Sequence, residues 1–396
     1  MISSPNIPKF IPGSETMKLS VLKDELDKAI QHVSKAISNR TSIPILHGIK
    51  IDASASGLQL TASDTEISIQ SFIAAEKGDV RSVELERPGS IVLPAKFFSE
   101  MVRKLPSEKV EIEVNDSFLA NIRSGTIEVQ LMGLDPEEFP LLPQIDANAV
   151  ISVPSELLKS MIRKTVFAVS TNESTPVLTG VLWNVEDGKI RFTACDRHRL
   201  ARAESNYDAD ADERFNNIVV SGKTLGELQK ILPDQNTLVD IVVSDNQILF
   251  RQNSLLFYAR LLEGTYPDVS KLIPQTFQTE LVLETKLFTD AIDRAFLLSR
   301  EEKTNIVRMA MREDMTVEIS SSSSEIGRVT EQLTAREMVG ERLKISFNSK
   351  YMLDALRVMD SESVHIGFTG PMQPIIIKPL GANDTLQLVL PYRTTH

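Results

Sequence analysis

Three groups of residues have types and spacings suited to chemistry. Cys195-Asp196-Arg197-His198-Arg199 puts a thiol three residues from an imidazole, the pairing that nucleophilic catalysis uses. Gly222-Lys223-Thr224 matches the end of a phosphate-binding loop, in which a glycine five residues before Gly222 lets the backbone close on phosphate. That position is Asn217, so the cradle is incomplete and nucleotide binding is not expected. The histidines at 32, 47, 198, 365 and 396 show no metal-ligand spacing, and neither a metal nor another cofactor is expected. With 1 tryptophan, Trp183, and 5 tyrosines there is no interleaved basic and aromatic stretch for stacking on single strands. Any contact with nucleic acid is then with phosphates.

The elements that must position these groups recur along the chain. A lysine opens an amphipathic helical pattern at Lys96, Lys223 and Lys350, spaced 127 residues apart. Leu105-Pro106 and Leu232-Pro233, and Phe139-Pro140 and Tyr266-Pro267, share that offset. A second set, offset by 132, pairs Pro44 with Pro176, Gly48 with Gly180, and Thr61-Ala62-x-Asp64 with Thr193-Ala194-x-Asp196. A period of this size fits a whole domain rather than a solenoid unit of roughly 20 to 50 residues. The chain reads as one domain used three times: 17–144, 145–274 and 275–396, with proline-bearing boundaries after Leu141-Leu142-Pro143 and Leu272-Ile273-Pro274. Under the repeat, Cys195 corresponds to Ser63, and no histidine matches His198. The cluster therefore decorates a shared strand end, and a hydrolase built on Cys195, Asp196 and His198 stands only as the rival reading.

Composition sets further bounds. The chain has 396 residues, 42% apolar and 24% charged, enough for each third to bury a core. A single cysteine cannot form an internal disulfide, which points to a reducing, cytosolic setting. No run approaches the ~18 apolar residues of a membrane span. Residues 1–16, rich in Pro, Ser and Gly, are expected to be a disordered extension outside the fold.

Helical periodicity marks segments 21–40, 94–104, 154–170, 221–232, 284–303 and 348–360, with stripes such as Leu22, Leu26, Ala29, Ile30 and Val33. Pro94 and Pro154 are expected in first turns, and Asn348 as an N-cap. Alternating segments, among them Ile67 to Ile73, Val110 to Val114, Ile127 to Leu131 and Leu386 to Leu390, read as strands, and the serine-interrupted stretch at Ser320 to Ser324 reads as a strand or loop rather than a flexible linker. Each third is then α+β, two helices on one face of antiparallel strands. The net charge of −11 argues against binding phosphates, but it is segregated: the helical segments carry 18 basic and 13 acidic residues, a net of +5, leaving −16 elsewhere.

Three tandem two-helix domains with basic helices and an acidic remainder resemble the bacterial β sliding clamps, the processivity subunits of DNA polymerase III. The resemblance runs from Met17 to the C-terminus. It is carried by Thr41-Ser42-Ile43-Pro44-Ile45-Leu46, Thr193-Ala194-Cys195-Asp196-Arg197-His198-Arg199-Leu200-Ala201, Thr265-Tyr266-Pro267-Asp268, Phe347-Asn348-Ser349-Lys350-Tyr351 and Leu388-Val389-Leu390-Pro391-Tyr392-Arg393.

The resemblance implies a head-to-tail homodimeric ring of six domains, helices inward around duplex DNA, with no enzymatic activity. A separate clamp loader, the replicative polymerase and other proteins carrying a clamp-binding peptide would be its partners, in the cytoplasm. An accessory clamp serving repair or drug resistance is the alternative within the same fold. Channel candidates are Lys28, Lys35, Arg40, Lys96, Arg103, Lys159, Arg163, Lys223, Lys230, Arg294 and Lys350. The implied peptide pocket comprises Leu178, Thr193, Cys195, Arg197, His198, Leu200, Pro267, Lys271, Leu272, Asn348, Tyr351, Met372, Pro374, Leu388, Leu390, Pro391, Tyr392 and Arg393, with Leu178, Leu200, Leu272 and Leu390 as its apolar floor. Arg197 stands where the family usually has a small residue. Ring closure is assigned to Val129 and Leu131 against Leu297 and Leu298.

Overall fold

The computed structural model describes residues 17–38, 41–142, 145, 149–207, 215–235, 237–301 and 304–393; the expected extension over 1–16 and the channel candidate Arg40 lie outside them. Six α-helices of at least eight residues occur among the described residues: α1 (Lys23–Val33), α2 (Ala95–Lys104), α3 (Ser155–Thr165), α4 (Gly222–Ile231), α5 (Thr285–Glu301) and α6 (Ser349–Leu356). Each buries the stripe that its sequence spacing dictates: Leu26, Ala29, Ile30 and Val33 in α1, and Phe288, Ala291, Ile292 and Ala295 in α5. Burying each large side chain contributes roughly 1.5–3 kcal/mol.

The helix starts differ in detail from expectation. Pro94 and Pro154 are cap residues, each ending a strand, rather than first-turn residues. The first helix begins at Lys23 because Lys18–Leu22 is a strand, and it tightens into a 3-10 turn over Ser34–Ala36. Asn348 caps α6 as expected, its side chain accepting from the backbone N–H groups of Lys350 and Tyr351 at 3.0 and 3.4 Å. Lys96, Lys223 and Lys350 are all second residues of their helices.

The chain divides into two compact units. One holds residues 1–153 and 237–260, the other 154–236 and 261–396. The first unit contains an eight-stranded sheet, ordered Ala149–Pro154, Leu238–Val243, Gln247–Gln252, Leu255–Arg260, Ile67–Ala74, Gly57–Ser63, Gly48–Ser54, Gly89–Pro94. It also contains a five-stranded sheet, ordered Ile127–Met132, Leu119–Ser124, Lys109–Val114, Lys18–Leu22, Val83–Arg87. The second unit has a nine-stranded sheet of the same plan, in which Phe215–Ser221, Gly180–Glu186, Lys189–Cys195 and Arg199–Asn206 are followed by Thr385–Val389, Ile375–Pro379, Ser363–Phe368, Thr279–Glu284 and Glu337–Gly340. Its four-stranded sheet is Gly327–Thr334, Thr316–Ser323, Ile306–Met311, Lys344–Asn348, which takes in the serine run as a strand.

The thirds are thus joined by strand pairing. Ile69 faces Phe257 at the first junction, and Leu200 faces Leu388 at the second. All these pairs are antiparallel, so side chains alternate between a helix-covered core face and an outer face. The last core gathers Phe288, Phe347, Phe368, Met309 and Met352 between α5, α6 and the sheets. Phe288→Ala should lower the unfolding free energy by about 3–5 kcal/mol. Urea titration followed by circular dichroism checks this, and a shift below about 1 kcal/mol would show that the site collapses around the lost ring.

Candidate functional site

The site is built where the second and third repeats share a sheet. Strand Lys189–Cys195 ends in a tight turn, and Arg199–Asn206 leaves it antiparallel. Asp196 makes this turn: its Oδ1 accepts from the backbone N–H groups of His198 and Arg199 at 2.9 and 3.0 Å, and its Oδ2 takes the Arg199 Nε at 3.0 Å. Arg199 then reaches α6 and the loop after α3. Its Nη1 donates to Asp354 Oδ2 at 2.6 Å, its Nη2 donates to the Phe167 carbonyl at 2.6 Å, and its guanidinium lies 4.5 Å from the Tyr351 ring centroid. Such a part-buried, fully bonded arginine fixes geometry more than it adds net stability.

Beneath the turn lies an apolar cluster of Val177, Leu178, Cys195, Leu200, Tyr266, Val269, Ile376 and Leu388. Tyr266 belongs to it, although the pocket assignment in the sequence passed over this residue. Its hydroxyl accepts from the Cys195 N–H at 2.9 Å and donates to Cys195 Sγ at 3.6 Å. Burial pushes both the Cys195 thiol and the Tyr266 phenol above their ordinary ranges. The imidazole of His198 lies outside this cluster, exposed, its ring 6.2 Å from that of Tyr351. A buried, protonated thiol and an imidazole turned to another ring do not form a nucleophile and base. The Asp196 carboxylate, held by Arg199, does not orient His198 either, so the hydrolase constellation is not assembled.

The pocket candidates differ in burial. Leu178, Thr193, Cys195, Leu200 and Leu388 are buried; Asn348, Tyr351, Pro374 and Pro391 are half-buried. Arg197, His198, Pro267, Lys271 and Arg393 are exposed. Four apolar candidates are exposed: Leu272 at 54%, Met372 at 51%, Leu390 at 37% and Tyr392 at 54%. The expected floor is therefore split, with Leu178 and Leu200 in the core and Leu272 and Leu390 open to solvent. The chain end is tied down by Leu390 N–H to the His198 carbonyl at 2.9 Å and Tyr392 N–H to the Ser346 carbonyl at 2.7 Å. A cleft of about 360 Å³ runs beside the turn, lined by Arg197, His198, Tyr351, Leu178 and the loop from Val169 to Thr175. Sequence reasoning missed that loop, although the 132 offset sets Glu173-Ser174-Thr175 against Thr41-Ser42-Ile43. Lys350, read as a channel residue, lines this same cleft.

The other channel candidates lie on helices, in two states. Lys28, Lys96 and Arg103, with Lys35 in the turn after α1, are exposed, and no ion pair engages them among the described residues. Lys159 is bonded to Asp234 and to the Leu232 carbonyl, Arg163 holds Asp360 at 2.7 and 2.9 Å, Lys230 holds Glu227 at 2.8 Å, and Arg294 holds Glu331 at 2.5 and 2.8 Å. Lys223 is exposed; with Gly222 and Thr224 it forms the first turn of α4. The residues before it are a strand, Phe215–Ser221, and not a phosphate loop. Val129 and Leu131 are half-buried on the edge strand Ile127–Met132, while Leu297 is 54% exposed and Leu298 half-buried near the end of α5. No helix among the described residues is long and apolar enough to cross a membrane.

Comparison with known proteins bears on this arrangement along the whole length. Residues 17–143, 152–268 and 270–393 match the N-terminal, central and C-terminal domains of the DNA polymerase III beta subunit. The chain is 50% identical to the beta sliding clamp of Bacillus subtilis over 378 residues, which is 96% of this chain and 100% of that one. The crystal structure of the Bacillus subtilis DNA polymerase sliding clamp superposes with a TM-score of 0.93 over the same shares. The DNA polymerase III beta chain of Streptococcus pneumoniae, 33% identical, superposes at 0.91, covering 96% of this chain and 100% of that one. Three repeats, two shared sheets and full-length similarity agree, and the chain belongs to the DNA polymerase III beta subunit family, the beta sliding clamps.

Proposed function

We propose that this protein is a processivity clamp, two copies of which close head to tail around duplex DNA and tether the replicative polymerase and other partners. It is not an enzyme. The observation that carries the reading is a rule of strand pairing. At each internal junction the last strand of one three-stranded meander pairs with the last strand of another, Ile67–Ala74 with Leu255–Arg260 and Arg199–Asn206 with Thr385–Val389. Two meanders remain, and they end in the sheet edges Ile127–Met132 and Gly327–Thr334. Long edges bearing apolar side chains are an aggregation hazard unless paired. Pairing them between copies repeats the internal rule, and because the two edges differ, the contact is head to tail. Val129 and Leu131 supply one side; Leu297 and Leu298, on the helix packed against Gly327–Thr334, supply the other.

The three clamp domains are 17–144, 145–274 and 275–396, and their helices line the channel. Lys28, Lys35, Arg40, Lys96, Arg103, Lys159, Arg163, Lys223, Lys230 and Arg294 contact phosphates without reading bases, so binding is sequence-independent, salt-sensitive and exchangeable. Retention then comes from topology, and a modest positive charge suffices. The cleft beside the Asp196 turn, with Leu272, Met372, Leu390 and Tyr392, takes the apolar anchors of partner peptides. A separate ATPase loads the ring, and the protein works in the cytoplasm on the nucleoid.

After loading onto nicked circular DNA with a matching loader and ATP, the protein should stay on circles through gel filtration and be lost once the circle is cut. Retention that ignores the cut would mean ordinary affinity and would end the ring reading. Leu298→Asp puts a charge into the edge contact and should give monomers by light scattering at micromolar concentration, whereas a persisting dimer would refute that interface.

A further inference from the structure

The turn at Asp196 occurs twice in the chain, and its two copies differ in one informative side chain. In the first repeat Asp64 Oδ1 accepts from the N–H groups of Glu66 and Ile67 at 3.0 and 2.9 Å, as Asp196 Oδ1 does from His198 and Arg199. The residue after the aspartate is left-handed in both, φ 78° at Thr65 and 77° at Arg197, a conformation L side chains rarely adopt. The fold imposes that backbone on either residue. What distinguishes the two copies is therefore the side chain that this position carries.

The Arg197 guanidinium reaches over the cleft and donates from Nη2 to the neutral hydroxyl Thr175 Oγ1 at 2.8 Å. No carboxylate pairs with it among the described residues. Lys350 lines the same cleft, exposed, and likewise has no ion pair among the described residues. The carboxylate in the lining, Asp196, is already occupied by Arg199 and two backbone N–H groups. A segment entering the cleft thus meets two cations that no carboxylate pairs directly among the described residues, one of them held by a neutral, exchangeable hydrogen bond.

We propose that Arg197 is a specificity-determining residue, selecting partner segments that carry an Asp or Glu side chain beside their apolar anchor. The incoming carboxylate replaces Thr175 as the acceptor, turning a neutral contact into a charge-assisted one. This rests on the reading of the cleft as the partner-peptide site.

The test uses the full chain and two fluorescent peptides with amidated C-termini, Gly-Asp-Leu-Leu-Phe and its isostere Gly-Asn-Leu-Leu-Phe, followed by anisotropy at low salt. Wild type should prefer the Asp peptide about three- to tenfold, the range of a partly exposed charged pair. In Arg197→Gln the ratio of the two dissociation constants should fall to near one. Equal affinities in wild type, or a preference that survives Arg197→Gln, would overturn the proposal. Leu390→Asp separates the two levels. If it abolishes binding of both peptides while wild type binds them equally, only the role of Arg197 falls. If it changes neither, or if neither peptide binds wild type, the cleft reading falls and the proposal with it.

Discussion

Backbone groups at the edge of a sheet must find partners, and in this chain that requirement organises the rest. Each third contributes meanders, and four of their last strands are paired inside the chain, Ile67–Ala74 with Leu255–Arg260 and Arg199–Asn206 with Thr385–Val389. Pairing is antiparallel with period-two alternation, so a slip of one residue would turn Leu200 and Leu388 out of the apolar cluster. The same pairing brings the end of the chain beside the Asp196 turn, where Leu390 bonds to His198. The cleft is a by-product of joining two sheets, and it needs no element of its own.

The helices carry a different balance of forces. Lys159, Arg163, Lys230 and Arg294 are engaged with Asp234, Asp360, Glu227 and Glu331. Each pair has at least one well-exposed partner, and such pairs are worth roughly 0–1 kcal/mol. A phosphate can therefore displace the carboxylate at little cost, but gains little by doing so. Weak, replaceable contacts suit a protein that must move along its ligand, whereas Lys28, Lys35, Lys96 and Arg103 stay available in the first unit. The contrast with Arg199 is one of burial. Its partners Asp196 and Asp354 are mostly shielded, at 11% and 19% side-chain exposure, so that network holds geometry in place.

Much of this was legible in the sequence because it is written locally. Helix stripes, the lysine at the second position of three helices and the Asn348 cap follow from spacing and side-chain chemistry alone. The serine run, legible as strand or loop, is a strand in which Ser320, Ser321 and Ser323 are buried. Pairing between strands some 190 residues apart, such as Leu200 with Leu388, leaves no local signature, and for that reason the sharing of sheets between thirds was not visible. The same limit hid the loop from Val169 to Thr175, whose role depends on the distant Arg197 reaching Thr175. Lys350 looked like its counterparts Lys96 and Lys223, and only the fold of α6 against the Asp196 turn sets it in the cleft.

The two internal junctions make the last distinction. Both have the same strand order and the same aspartate turn, yet the groups at matching positions differ. Ser63, Ser68, Tyr258 and Arg260 line a cavity of about 330 Å³ at the first junction. At the second, Cys195, Leu200, Leu388 and Leu390 stand at those places, and the first three join the apolar cluster. The first cavity is also flanked by Leu141 and Leu142 from the connecting segment. Burying an apolar anchor against Leu200 and Leu388 gains roughly 25 cal/mol per Å², whereas at the first junction Ser63 and Ser68 present hydroxyls bonded to each other at 2.7 Å. The two junctions thus share a frame and differ in the side chains set on it. Function here is carried by the side chains set on the repeat, and the fold alone does not choose between them.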